Sequence, residues 1–211
     1  HIDHSGLLPR LVKQGFPGPI WATAPTRDLL AYMLADSARI QESDVARRNR
    51  RKDRAVEPEF EPLYTEADAE ATVDLIETVE LCEWFEPVPN VRARLWNAGH
   101  ILGAGSVELR DGELSVLFSG DLGPESKAFY PDPEGPAGID HVVCESTYGN
   151  RDRKDPSIED RRSQLFDEIR SALARGGNLI IPTFAVERTQ ELLLDIASLI
   201  NSGRLRDQAV F

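Results

Sequence analysis

Cysteine is scarce in this chain of 211 residues: only Cys82 and Cys144 occur. Two thiols so far apart do not make a disulfide framework, so the sequence is read as a protein of the reducing cytoplasm, both thiols buried and inert. Long apolar runs are lacking too. No uninterrupted stretch nears the roughly 18 residues of a membrane-spanning helix, and neither a transmembrane segment nor a lipid anchor is suggested. Positive charge is in deficit, with 24 Lys and Arg against 36 Asp and Glu for a formal net charge of -12. That balance argues against a surface gripping nucleic acid all over, because neutralising phosphates takes clustered cations, but it leaves room for a local groove. An initiating methionine is missing as well, with nothing like a signal peptide ahead of His1. The sequence is therefore read as a piece of a longer protein.

What is present suffices for a core. A hydrophobic content of 41% over this length fits one large domain or one and a half. Gly6 to Gln14 reads as a short helix closed by Gly15, and Pro19 to Ala24 as an apolar strand. Thr26 is placed as the cap of a helix carrying Leu29, Leu30, Met33, Leu34 and Ile40. The run RRNRRKDR from Arg47 to Arg54 is read as a solvated face or loop. Thr65 opens another helix, with Asp68 in a capping-box place and Val73 and Ile76 on its apolar side. Strands are expected at Leu81–Phe85, Val91–Trp96, Ser106–Leu109 and Leu114–Phe118, the last two flanking the hairpin signal Asp111-Gly112, and at His141–Glu145. Then come a helix with Pro156 as its first residue and Leu165, Ile169 and Leu173 at helical spacing, a buried strand at Asn178–Phe184, and a helix from Val186 to Asn201. The class is α/β.

Two of the four histidines fall in the first four residues, His1-Ile2-Asp3-His4. Imidazole and carboxylate at such spacing suit a borderline divalent metal such as zinc; the bland alternative is a solvated terminus. Three strands discharge into small polar clusters: Asn97-Ala98-Gly99-His100, Ser119-Gly120-Asp121 and Glu145-Ser146-Thr147. In α/β proteins the carboxyl ends of strands are where ligands and catalytic groups gather. Glycines beside His100 and Asp121 permit tight turns and close backbone approach.

HIDH, GHILGAGSVEL, FSGDLG, CESTYGNR and PTFAVERTQELL, in this order, resemble the β-CASP branch of the metallo-β-lactamase superfamily, from residue 1 to about residue 201. The segment from Pro19 to Asp44 is similar to that branch as well. The resemblance implies an incomplete αββα sandwich over 1–150 and, over 151–211, the beginning of the inserted α/β β-CASP domain. It implies two zinc ions, one held by His1 and His100, the other by Asp3 and His4, with Asp121 shared. Asp3, Asp121 and Glu145 are the expected catalytic residues, Glu145 supporting a ligating histidine from behind. His141 matches no motif and is read as structural. Arg188 is read as meeting a phosphate or as half of an ion pair. The implied activity is hydrolysis of single-stranded RNA, endonucleolytic or 5′ to 3′, through a hydroxide activated by two metals. A homodimer or a processing complex is the expected assembly.

The family's first HxHxDH histidine would precede His1, and its later β-CASP histidines would follow Phe211, so this length of chain is expected to be inactive alone. Three other readings share parts of the pattern. A glyoxalase- or lactonase-like enzyme would have the metal motifs but not ESTYG or PTFAVERTQELL. A DNA-directed β-CASP nuclease differs at a residue past Phe211. A non-catalytic scaffold paralogue would lose ligands, whereas His1, Asp3, His4, His100 and Asp121 are all present.

Overall fold

The computed structural model describes residues 1–51, 58–125, 127, 130–152, 157–206 and 210. Two short helices come first, α1 (Ile2–Ser5) and α2 (Leu8–Lys13), so His1, Asp3 and His4 sit on a helical turn and not on a loop. β1 (Ile20–Ala22) leads into the long α3 (Ala24–Arg51), then α4 (Glu66–Asp74) and β2 (Ile76–Thr78). β1 and β2 pair in parallel, Ile20 opposite Ile76 and Ala22 opposite Thr78. A parallel pair obliges the chain to cross over between its strands, and α3 and α4 make that crossover.

Leu30, Leu34 and Ala38 recur every fourth residue of α3 and are buried with Ala22, Tyr64, Ala69 and Ile76. The tyrosine is anchored at its polar end, its hydroxyl 2.8 Å from Ser37 Oγ. Ile40, expected on the same stripe, is 55% exposed, because it is out of step with the four-residue repeat. The helix also starts earlier than Thr26 implies: Thr23 Oγ1 accepts from the Thr26 amide at 3.4 Å, so Thr23 is the capping side chain. α3 continues into the basic run, where Arg47, Arg48, Arg50 and Arg51 are exposed and Arg47 pairs with Asp44 at 2.8 Å. Lys52 to Arg54 lie outside the described residues.

The capping box is as expected. Thr65 Oγ1 accepts from the Asp68 amide at 3.3 Å, and the Asp68 carboxylate accepts from the Thr65 amide at 2.8 Å. The Thr65 amide holds the Asp68 carboxyl below its ordinary pKa. Thr65→Ala is expected to lower stability by about 1 kcal/mol in urea unfolding. The folded pKa of Asp68 is the lower one, so its contribution is complete above the ordinary carboxylate value of about 3.9 and fades as pH falls through the folded value. The gap between wild type and Asp68→Asn should therefore shrink in acid; an unchanged gap would deny the carboxylate its part.

Beyond β2 the strands are β3 (Trp84–Val88), β4 (Val91–Asn97), β5 (Gly105–Asp111), β6 (Leu114–Phe118) and β7 (His141–Val143). They form one sheet in chain order, β3 and β4 antiparallel, β6 and β7 parallel. β5 and β6 are neighbours joined at Gly112, whose φ of 59° only glycine adopts without strain. The strand expected at Leu81 begins at Trp84 because Cys82 turns the chain with φ 63°. Both cysteines are exposed, against expectation: Cys82 occupies that turn, and Cys144 follows a strand whose three residues all face solvent.

α5 (Ile158–Ala174) and α6 (Arg188–Asn201) follow. Ser157 caps α5, its Oγ accepting from the Asp160 amide at 3.1 Å; Pro156, the expected first residue, lies outside the described residues. Ile169, Ile196, Leu199 and Leu205 are buried together. Residues 178–184 form no strand: Ile180 is 85% and Phe184 80% exposed. An apolar run makes a strand only against a partner ladder, and none of the described strands pairs with it. By contacts the chain divides into two compact units, residues 1–95 with 108–115, and residues 96–107 with 116–211. No helix among the described residues is long and apolar enough to cross a membrane.

Candidate metal centre

In the first unit, α1 is pinned by its inner residues. Ile2 packs against the Leu30–Leu34 core, and Ser5 is buried with its hydroxyl donating to the His1 carbonyl at 2.8 Å. This leaves Asp3 and His4 outward, with the His1 side chain 20% exposed. His1 Nδ1 is 3.4 Å from Asp3 Oδ2, and the His1 and His4 rings stand edge to face with centroids 4.8 Å apart. Asp3 and His4 are exposed.

In the second unit, His100, Asp121 and Glu145 come from the turns after β4, β6 and β7, as the strand-end clusters predict. The His100 turn is braced by Asn97, whose Oδ1 accepts from the Gly99 amide at 3.1 Å and whose Nδ2 donates to the Asp132 carbonyl at 2.9 Å. His100 Nε2 lies 3.7 Å from Asp121 Oδ2, both side chains about one-third exposed. Burial, first of all, lowers the His100 pKa, with Lys127 and Arg188 acting the same way and Asp121 and Glu145 opposing. A neutral imidazole is the form that binds metal.

Glu145 Oε1 accepts from the Leu122 amide at 2.6 Å, and the Glu145 amide donates to Ser119 Oγ at 2.9 Å. The Leu122 amide, then the Thr147 hydroxyl, hold its carboxyl below the ordinary range, so it is an anion at neutral pH. The glutamate thereby fixes the loop on which Asp121 stands.

Sequence reasoning passed over two contributors. Gly123 runs so close to the His100 turn that a β-carbon there would stand 1.7 Å from the Gly99 carbonyl oxygen, and its amide donates to the Ala98 carbonyl at 2.8 Å. The glycine ends the quoted run FSGDLG, so a signal existed. Lys127 is the other. It is buried, and its ammonium donates to the His100 carbonyl. Arg188 takes the ion-pair option, Nη1 donating to Glu191 Oε2 at 2.6 Å. His141 is exposed at the start of β7.

Residues 1–159 match the Metallo-beta-lactamase superfamily. The chain is 34% identical over 218 residues to the Transcription termination factor FttA of Methanothermobacter thermautotrophicus, covering 100% of this chain and 31% of that protein. It is 32% identical to Ribonuclease TTHA0252 of Thermus thermophilus, covering 92% of this chain and 40% of the relative. To Endoribonuclease YSH1 of Yarrowia lipolytica it is 34% identical, covering 92% and 22%. The chain thus spans between about a fifth and two-fifths of the length of these relatives. It belongs to the metallo-beta-lactamase superfamily, on its β-CASP branch.

Proposed function

We propose that the protein carrying this chain is a zinc-dependent ribonuclease that hydrolyses phosphodiester bonds of single-stranded RNA. The observation that carries the proposal is the convergence of His100, Asp121 and Glu145 at three strand ends, with the His100 turn and the Asp121 loop locked together at Gly123. Two of the relatives are named as ribonucleases. By the motifs they fill, His1, His100 and Asp121 would each give one ligand atom to a metal ion. With Asp3 and His4 they make a set of imidazoles and carboxylates that suits zinc. In this reading His1 and His100 serve one ion, Asp3 and His4 a second, and Asp121 both. Residues 1–150 would then be the metallo-β-lactamase domain and 151–211 the opening of the β-CASP domain, in a cytoplasmic protein.

Zinc bound there would supply Lewis acidity, lowering the pKa of water toward neutrality and offsetting charge on the attacked phosphate. The chain's own residues prepare for it. Burial lowers the His100 pKa and so favours the neutral imidazole, and the Asp121 carboxylate lies beside its ring. Glu145, ionised and bonded to the Leu122 amide, stops the Asp121 loop from swinging.

Glu145→Ala should lower metal affinity or cleavage by about 10- to 100-fold, as loss of support behind a ligand does. Glu145→Gln keeps an acceptor for the Leu122 amide and should fall between. Equal loss in both variants would mean that the charge, not the hydrogen bond, matters. The test of the whole reading is zinc content measured together with cleavage of 5′- and 3′-labelled single-stranded RNA and DNA. Cleavage of DNA alone would transfer the protein to the DNA-directed enzymes, and a metal-free inactive protein would make it a scaffold.

A further inference from the structure

Lys127 is a lysine where a lysine is costly. Its side chain is 4% exposed, yet the ammonium remains paired: it donates to Glu187 Oε1 at 2.9 Å and to the backbone carbonyl of His100, with the Tyr130 ring centroid 5.4 Å away. Glu187 is equally unusual. It is 7% exposed and holds φ 72°, a left-handed backbone that a non-glycine residue adopts at a cost. It stands one residue before α6, and the turn around it is closed by the Thr189 amide and hydroxyl, both donating to the Phe184 carbonyl. A buried ion pair and a strained backbone persist together only where the surroundings over-determine them. What they meet here is the main chain of a candidate metal ligand.

We propose that Lys127 is a positioning residue for the metal centre, tying the His100 backbone to Glu187 at the opening of α6, so that the motif PTFAVER braces a ligand loop some 85 residues earlier in the chain. This rests on the reading of His100 as a metal ligand. A carbonyl held by a buried ammonium cannot rotate without stranding the charge, so the imidazole is presented in one orientation before the ion arrives. The pair also makes the turn before α6 and the His100 loop move together. Glu187 contributes by keeping Lys127 charged and directed.

The test is zinc affinity, by competition with a chromophoric chelator, and thermal unfolding of the metal-free form, both on the protein that carries this chain. Lys127→Met should weaken zinc binding by about 10- to 100-fold, and Lys127→Arg, which keeps a buried cation, should restore most of it. A Lys127→Met protein that melts earlier but binds zinc as tightly as wild type would overturn the proposal, reducing the lysine to a fold-stabilising contact. If Lys127→Met does not fold, Glu187→Gln decides: it leaves the ammonium an acceptor but removes its counter-charge, and unchanged zinc affinity would overturn the proposal equally. Wild type that binds no zinc would refute the metal-centre reading itself, whereas wild-type binding with indifferent variants refutes only the role of Lys127.

Discussion

Asp121→Ala is expected to reduce RNA cleavage by about a thousandfold or more, equivalent to about 4 kcal/mol of transition-state stabilisation, and to lower the bound metal below the wild-type content. The size follows from where the side chain stands. Its carboxylate lies 3.7 Å from the His100 ring, on a loop held by the Glu145 carboxylate at the Leu122 amide and pressed by Gly123 against the His100 turn. The carboxylate proposed to serve both ions is lost in this variant, and the positioning that two-metal hydrolysis depends on is lost with it. Asp121→Asn keeps the shape and removes the charge, so it separates geometry from electrostatics. His141→Ala, at an exposed histidine outside every motif, is the control and should leave both measurements unchanged. Metal content and cleavage rate, measured on the same preparations, check the prediction. An Asp121→Ala protein with full metal and full activity would remove Asp121 from the ligand set.

Features whose determinants are local were legible in the residues. The Thr65–Asp68 box, the Asp111-Gly112 turn and the four-residue repeat through Leu30 and Leu34 are each set within a few positions, and each appears where the pattern puts it. The same holds for His100, Asp121 and Glu145 at strand ends. Failures occur where a distant partner decides. Asn178 to Phe184 has the composition of a buried strand but finds no ladder among the described strands, so its apolar side chains stay exposed. β2 was hidden because Ile76 continues the apolar spacing of α4; its parallel partner β1, more than fifty positions away, makes it a strand. The thiols were misplaced for a related reason: residue type favours burial, while the left-handed turn at Cys82 and the open strand before Cys144 override it.

Lys127 and Gly123 show the same limit within the site. Nothing in SGDLGPESK distinguishes a lysine that reaches a histidine carbonyl from one that reaches solvent, since the partner Glu187 is 60 residues on. Gly123 looks like a turn glycine, but its φ is not in the left-handed region. What demands glycine is the Gly99 carbonyl in the space of the missing side chain.

The largest stability effect is expected at Glu108, the glutamate of GHILGAGSVEL. This carboxylate is 0% exposed, and it accepts from Arg94 Nε at 3.1 Å, Arg94 Nη2 at 2.8 Å and Arg110 Nε at 2.8 Å. The Trp84 ring, opposite Arg94 in the β3–β4 register, has the Arg94 and Arg110 guanidinium carbons 4.3 and 5.4 Å from its centroid. Arg94 is 19% exposed and supplies two of the three bonds, while Arg110 is 41% exposed and supplies one. Arg94→Met should therefore cost about 3–5 kcal/mol, because it takes two charge-assisted hydrogen bonds from a fully buried carboxylate and leaves the more exposed Arg110 to compensate it. Arg110→Met should cost about 1 kcal/mol or less, since water replaces much of what an exposed guanidinium provides. The double variant Arg94→Met/Glu108→Leu removes the under-compensated charge along with its partner and should recover most of the loss, a non-additivity that a double-mutant cycle in urea measures directly. If the double variant is no more stable than Arg94→Met, the loss lies in the packing of the arginine stem and guanidinium against Trp84, and the carboxylate is a bystander.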